Sequence, residues 1–119
     1  MRKFTTGGIR DDDEMKLDFE GFISPIVLER FAEYMHKHRF LKDGSVRKSD
    51  NWQNLFGDDH YNVCMKSAWR HFFSWWKAHR GYTTEEDIEE SMMGLLFNLQ
   101  AYLFKRLNEK NNNKTIKEK

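Results

Sequence analysis

Cysteine is almost missing from this chain: Cys64 stands alone among 119 residues. It cannot close an intramolecular disulfide, and no CxxC pair offers a zinc spacing. Long hydrophobic runs are missing as well. No apolar stretch approaches the roughly 20 residues of a membrane span, and the first residues lack the apolar region of a signal peptide. These absences predict a cytosolic protein in a reducing compartment. Excess charge of one sign is absent too, since 20 basic residues face 19 acidic ones for a net charge of +1. Non-specific binding to duplex nucleic acid draws on clustered positive charge and is not expected.

What is present is aromatic. Rings make up 15% of the chain while hydrophobic residues reach only 39%, so a few large side chains must do most of the burying. A chain of this length is one domain that leaves much apolar surface uncovered. Association with further copies is the expected way to finish the core. Charge is uneven locally: acid collects at residues 11–14 and 85–90, base at 36–39 and beyond Lys105.

Residues 1–23 have no helical period and are rich in Gly and Asp, which predicts an ordered N-terminal arm anchored by Leu17, Phe19, Phe22 and Ile23. A helix follows, with Ser24 as N-cap, Pro25 in its first turn, and Leu28, Phe31, Ala32 and Met35 on one face. A loop is built around Asp43-Gly44, and a short helix capped by Asp50 covers NWQNLF. A long helix spans about 60–79, with Tyr61, Cys64, Ala68, Phe72, Trp75 and Trp76 as its buried face and Gly81 as its stop. The last helix is predicted to start near Thr84, which forms a capping box with Asp87. Its apolar stripe is Ile88, Met92, Leu95, Leu96, Leu99 and Leu103. The fold class is therefore all-α, a small helical bundle. The arm covers 1–23, the helical domain 24–108, and a polar, disordered tail 109–119.

Three strings carry candidate binding chemistry. In KSAWRHFFSWW, Ser67, Arg70 and His71 sit three and four apart on one helix edge, where a hydroxyl, a guanidinium fork and an imidazole suit a phosphate. The plainer alternative pairs Arg70 with a carboxylate and makes His71 a satisfied core residue. In DGSVRKSDNW, Arg47, Lys48 and Asn51 supply donors beside Trp52, and Asp43 can accept from a base or ribose, an arrangement for stacking a base and reading its edge. The alternative is a polar loop with Trp52 tucked into the core. In TTGGIRD, Gly7 and Gly8 allow close backbone approach beside Arg10. The acidic run EEDIEE spaces Glu86 and Glu89, and Asp87 and Glu90, one turn apart, as Mg²⁺ ligands can be. Acid at a helix start is the simpler account of it.

Taken in order, TGGIRD, MKLDFEGFISP, a helix ending in MHKHR, DGSVRKSDNWQ, SAWRHFFSWWKAHRG and EEDIEESMMGLLFNLQAYL resemble a phage family of dATP/dGTP diphosphohydrolase N-terminal domains, over residues 6–102. The resemblance implies relatives that handle purine deoxynucleotides on an all-α scaffold loosely like the MazG-type pyrophosphohydrolases. Those enzymes hold Mg²⁺ through E-x-x-E and a following E-x-x-D. Glu86 and Glu89 match the first half, the second half is missing, and Ile88 stands where many relatives carry histidine. The donors that remain are Arg10, Lys16, Arg47, Asn51, Trp52, Ser67, Arg70, His71 and Asn98.

The leading expectation is thus a binding protein. It captures a purine nucleotide, or a cyclic oligonucleotide signal of bacterial anti-phage defence, without hydrolysing it. Such an anti-CBASS-type sponge would act in the cytoplasm of the infected host and need no cofactor. A homo-oligomer with its ligand at or near a subunit interface is expected, with no membrane or duplex partner. The alternative is a Mg-dependent dATP/dGTP pyrophosphohydrolase of MazG-like type, with Glu86, Glu89 and Glu90 on the metal and Arg70 on the leaving phosphate. A third reading is an interaction module that docks a protein through its aromatic surface.

Overall fold

A computed structural model of the protein describes residues 2–3, 7, 9–10 and 15–118, with side chains described over 15–112. The protein is all-α, built on three long helices. A two-residue antiparallel pair, β1 (Arg2–Lys3) and β2 (Ile9–Arg10), lies in the arm. One helical turn follows, α1 (Phe19–Phe22), where the Asp18 side chain accepts from the Gly21 amide at 2.8 Å. The expected anchoring of this arm fails: Leu17, Phe19, Phe22 and Ile23 are all exposed, Phe22 to 85%.

Helix α2 (Pro25–Lys37) starts where the sequence places it, with the Ser24 hydroxyl accepting from the Val27 amide at 3.2 Å and proline in the first turn. Its buried stripe is rotated from the expected one. Phe31 and Tyr34 are buried with Met93, and Met35 packs beside them, while Leu28 and Ala32 stay exposed. Arg30 explains the rotation, because its guanidinium turns this side of α2 toward two acidic side chains on the last helix.

Helices α3 (His60–His79) and α4 (Ile88–Glu118) form an antiparallel hairpin that dominates the fold. Helix α3 ends in a Schellman turn: the Tyr82 amide donates to the Lys77 carbonyl, the Gly81 amide to the Ala78 carbonyl, and Gly81 takes φ +89°. Helix α4 starts four residues later than expected. Thr84 is no cap, since its hydroxyl donates to the Glu86 carbonyl at 2.7 Å. Asp87 is the cap instead. Its carbonyl accepts the first helical bond from Ser91, and its carboxylate accepts from the Glu89 amide at 3.1 Å. At the other end, α4 runs through the polar tail expected from residue 109 and reaches Glu118.

The facing surfaces of this hairpin are small and polar rather than aromatic. His60, Cys64, Ser67, His71 and Ser74 of α3 line up along Ser91, Gly94, Asn98 and Ala101 of α4. The short side chains let the two backbones approach closely, and every polar atom buried there finds a partner among the described residues. The expected buried faces are corrected accordingly. Phe72 and Trp76 of α3, and Ile88, Met92, Leu99 and Leu103 of α4, are exposed to between 38% and 56%. The buried apolar set is correspondingly small: Phe31, Tyr34, Cys64, Met93 and Ala101. No helix among the described residues is long and apolar enough to cross a membrane.

Candidate functional site

Between the end of α2 and the start of α3 the chain makes an irregular cover over α4. Phe40 and Val46 bridge antiparallel, and a tight turn between them has Gly44 at φ +87°. Asp43 is absorbed by this turn. Its carboxylate accepts from both the amide and the hydroxyl of Ser45 at 2.9 and 2.6 Å, and those bonds hold it below the usual carboxylate range. Both bonds fall on one carboxylate oxygen, and Asp43 does not line the cleft formed by this cover. At the base of the hairpin the Arg47 amide donates to the Arg39 carbonyl, and Arg39 Nε returns to the Arg47 carbonyl at 2.8 Å. The two arginines are thereby clamped side by side.

The remainder of the cover is pinned from below. A 3₁₀ turn (Asn51–Asn54) sets Trp52 edge-on against Phe104 of α4, with ring centres 4.8 Å apart. Leu55 adopts φ +66°, a left-handed conformation rare outside glycine. The next residue, Phe56, stacks on His60, which is fully buried. His60 Nδ1 accepts from the Phe56 amide at 3.1 Å, which leaves Nε2 as the donor to the Ala101 carbonyl at 2.9 Å. One imidazole thus ties the cover to both helices. The sequence reading missed His60 because it followed ring periodicity in α3, while the signal was the polar spacing His60, Ser67, His71 and Ser74.

These ties leave a cleft of about 480 Å³ between α2, the cover and α4. Its cationic or titratable lining is His38, Arg39, Arg47 and Lys48. Aromatic walls come from Tyr34, Trp52, Phe56 and Phe97, and amide or hydroxyl groups from Ser49, Asn51 and Asn54. Among the described residues no carboxylate lines it, although Glu90 lies 3.9 Å from His38 at its edge. Burial, with the nearby charges of Glu86 and Glu90, pushes the Tyr34 phenol up to about 12. It stays protonated at neutral pH and can donate. Of the sequence candidates, Arg47, Asn51 and Trp52 come together here. His38 and Arg39 join them from the end of α2, where the sequence showed only a local collection of base at residues 36–39.

Of Ser67, Arg70 and His71, only Arg70 and His71 border a common concavity; Ser67 is turned into the α3–α4 seam. Asn98, nearly buried, donates to the Ser67 hydroxyl at 3.0 Å and to the Gly94 carbonyl at 2.8 Å. His71 Nδ1 pairs with Glu86 at 2.9 Å, and the Ser91 hydroxyl donates to the same carboxylate oxygen at 2.8 Å. These groups join α3 to α4. Arg70 is exposed, and it and His71 together line a separate, more open concavity of about 560 Å³ that also carries Ser74, Lys77, Thr84, Glu85 and Glu86. Lys16 is exposed and lines neither concavity. The side chain of Arg10 and the whole of Gly8 lie outside the described residues.

The acidic run is also engaged. Arg30 Nε donates to Glu89 at 2.9 Å and its Nη2 to Glu90 at 3.1 Å, with Lys37 3.5 Å from Glu90. Burial acts to raise the Glu90 carboxyl, but the Arg30 bond and the Lys37 charge outweigh it and hold it below the ordinary range. Among the described residues no group of three or more His, Cys, Asp or Glu is placed to hold a metal ion. Burial pushes the Cys64 thiol up, and at 1% exposure it is poorly placed for nucleophilic chemistry.

Compared with protein-family models, with curated proteins and with solved structures, the chain finds no match. The resemblance described above therefore rests on the chain's own sequence motifs.

Proposed function

We propose that the protein is a nucleotide-binding protein that captures its ligand in the cleft between α2 and α4 and holds it unchanged. The observation that carries this reading is a lining with four cationic or titratable side chains, four aromatic ones and, among the described residues, no carboxylate. Phosphate is attracted by clustered guanidinium and ammonium groups, and a base stacks on aromatic faces. The cavity falls within the roughly 300–1,000 Å³ of small-ligand sites and suits one nucleotide unit. A purine nucleotide fits as a whole. A cyclic oligonucleotide of the anti-phage signalling type would place one unit inside and the rest over the basic rim. A phage protein acting as a sponge in the host cytoplasm is the biological setting that the sequence motifs imply.

Capture is favoured over pyrophosphohydrolysis by the state of the carboxylates. Glu89 and Glu90 are bridged by Arg30, and Glu86 is shared by His71 and Ser91. A Mg²⁺ ion would have to displace a guanidinium and break the α3–α4 seam before it met three free carboxylates.

The test is retention. The protein is incubated with deoxynucleoside triphosphates and cyclic di- and trinucleotides, freed of unbound ligand, heated, and the released material is chromatographed. Unchanged nucleotide is the expected outcome. Product formed with Mg²⁺ would establish the hydrolase instead, and retention of nothing would end both nucleotide readings. Removing the Arg47 guanidinium (Arg47→Ala) deletes a charge-assisted donor worth about 1.5–3 kcal/mol, so Kd rises roughly ten- to hundredfold. Arg70→Ala, outside the cleft, leaves Kd unchanged in the same titration.

A further inference from the structure

A strained residue and a buried titratable one adjoin at the wall of the cleft. Leu55 holds φ +66° and ψ −175°, a backbone region almost confined to glycine that persists only where the surroundings impose it. The next residue, Phe56, gives its amide to His60 Nδ1 at 3.1 Å and stacks on the imidazole with ring centres 5.4 Å apart. Upstream, Trp52 is fixed on Phe104. Leu55 is therefore held between two anchors. Both Leu55 and Phe56 line the cleft, and His60 stands behind them.

The downstream anchor works in only one protonation state. His60 is fully buried, and its Nε2 is spent on the Ala101 carbonyl at 2.9 Å. Nδ1 is the only acceptor the ring has. A proton added there turns the acceptor into a donor and sets two N–H groups against each other. A buried donor without a partner is costly, and moving the Leu55–Phe56 segment away relieves it. The same movement frees Leu55 from its conformation, so strain and lost bond act in one direction.

Among the described residues, the groups facing the ring are Phe56 from the cover, the Ala101 carbonyl from α4, and Tyr61 and Cys64 from its own helix, with Cys64 Sγ 3.5 Å from Nε2. The Tyr61 phenol is pushed up to about 12, chiefly by its bond to Glu109, and burial pushes the Cys64 thiol up. Neither changes charge in mild acid. Lys105 and Glu109 are engaged at the Tyr61 ring and hydroxyl, and the Asp59 carboxylate accepts from Asn62 at 2.8 Å. None of these charges is placed to hold an imidazolium in the closed position.

We infer that His60 is a positioning residue for the cleft and a proton-sensitive latch on its wall: neutral, it holds Leu55 and Phe56 in place, and protonated, it releases them. Acid favours the state that can take up the extra proton, which is the released one. For binding, the latch rests on the nucleotide reading above, since a loosened wall loses the aromatic contacts a base would use. Protonation of His38, in the cleft lining, has the opposite sign, because it adds charge that attracts phosphate. A loss of affinity in mild acid therefore points to His60 rather than to the basic rim.

Binding of dATP to the full chain is measured at about pH 7.5 and about pH 5.5, with hydrogen exchange at the Phe56 amide corrected for its intrinsic pH dependence. The wild type is compared with His60→Asn, whose side-chain oxygen is an acceptor that does not titrate. In the wild type, dATP affinity and Phe56 protection are expected to fall about tenfold, within the ~100-fold that one linked proton allows over about two pH units. In His60→Asn protection stays level and affinity does not fall. Equal protection at both pH values in the wild type overturns the latch. An equal fall in His60→Asn overturns it too, by placing the titrating group elsewhere. Affinity indifferent to pH while protection falls overturns the positioning role. Protection that falls while dATP binds at neither pH supports the latch and counts against the nucleotide reading instead. Should His60→Asn not fold, the ¹⁵N shifts of the wild-type imidazole decide. Protonation of His60 in step with loss of Phe56 protection supports the latch, and protonation with the amide still protected overturns it.

Discussion

Gly94 and His71 occupy the same level of the α3–α4 seam, and neither has room to give. A Cβ built on Gly94 would lie 2.5–2.6 Å from three atoms of the His71 ring. That ring is held by Glu86, which is held in turn by Ser91. In an exposed helix, alanine would be favoured over glycine by about 1 kcal/mol. Here the clash outweighs that gain, and Gly94→Ala is expected to destabilise the protein by about 1–3 kcal/mol, measured by urea unfolding. A neutral result would mean that the His71 ring can swing away from α4 without cost. The same contact shows why site residues were only partly legible. Ser67, His71 and Asn98 have the polar groups a phosphate needs, but Asn98 and Ser67 bond each other and His71 pairs with Glu86, and spacing along one helix does not reveal what its neighbours offer. Arg47, Asn51 and Trp52 do reach the cleft, because they lie on one short segment whose turns the sequence does mark.

Helices and their caps were largely readable, since Ser24, Pro25 and Gly81 act locally. Burial was not. In both α3 and α4 the stripe with the most apolar surface points outward, and the seam uses the face with the smaller and more polar groups. Satisfied hydrogen bonds and close backbone approach decided that choice, and both require knowing the partner. Arg30 makes the same point between α2 and α4. It fixes the rotation of α2 by bridging Glu89 and Glu90, 59 and 60 residues away. The bridge has a pH signature. Glu90 is held below its ordinary value in the fold, so the native state binds its proton less readily than the unfolded chain does. The stabilisation is complete above the unfolded value near 4.5 and is lost as pH falls through the lower folded value. Glu90→Gln should therefore reduce stability at neutral pH, and the gap to the wild type should close as the solution is acidified below about 4.5. Urea midpoints for both proteins across that range measure it; a gap constant with pH would show that Arg30 does not stabilise the charged form.

At the scale of the whole molecule, the cleft and the exposed Met92, Leu99 and Leu103 lie on different sides of α4, and this separates ligand capture from association. If two chains pair through those residues, each keeps its own cleft open to solvent, and the pair takes up one ligand per chain rather than one at the interface. Among the described residues five apolar side chains are buried, a small core for one chain. If folding is coupled to association with further copies, as the sequence leads one to expect, the thermal midpoint depends on chain concentration. Each tenfold increase favours the folded dimer by about 1.4 kcal/mol, a shift of a few degrees in Tm that calorimetry at several concentrations resolves. A midpoint constant from micromolar to millimolar chain would mean that the small interior is stable by itself and that association contributes nothing to folding.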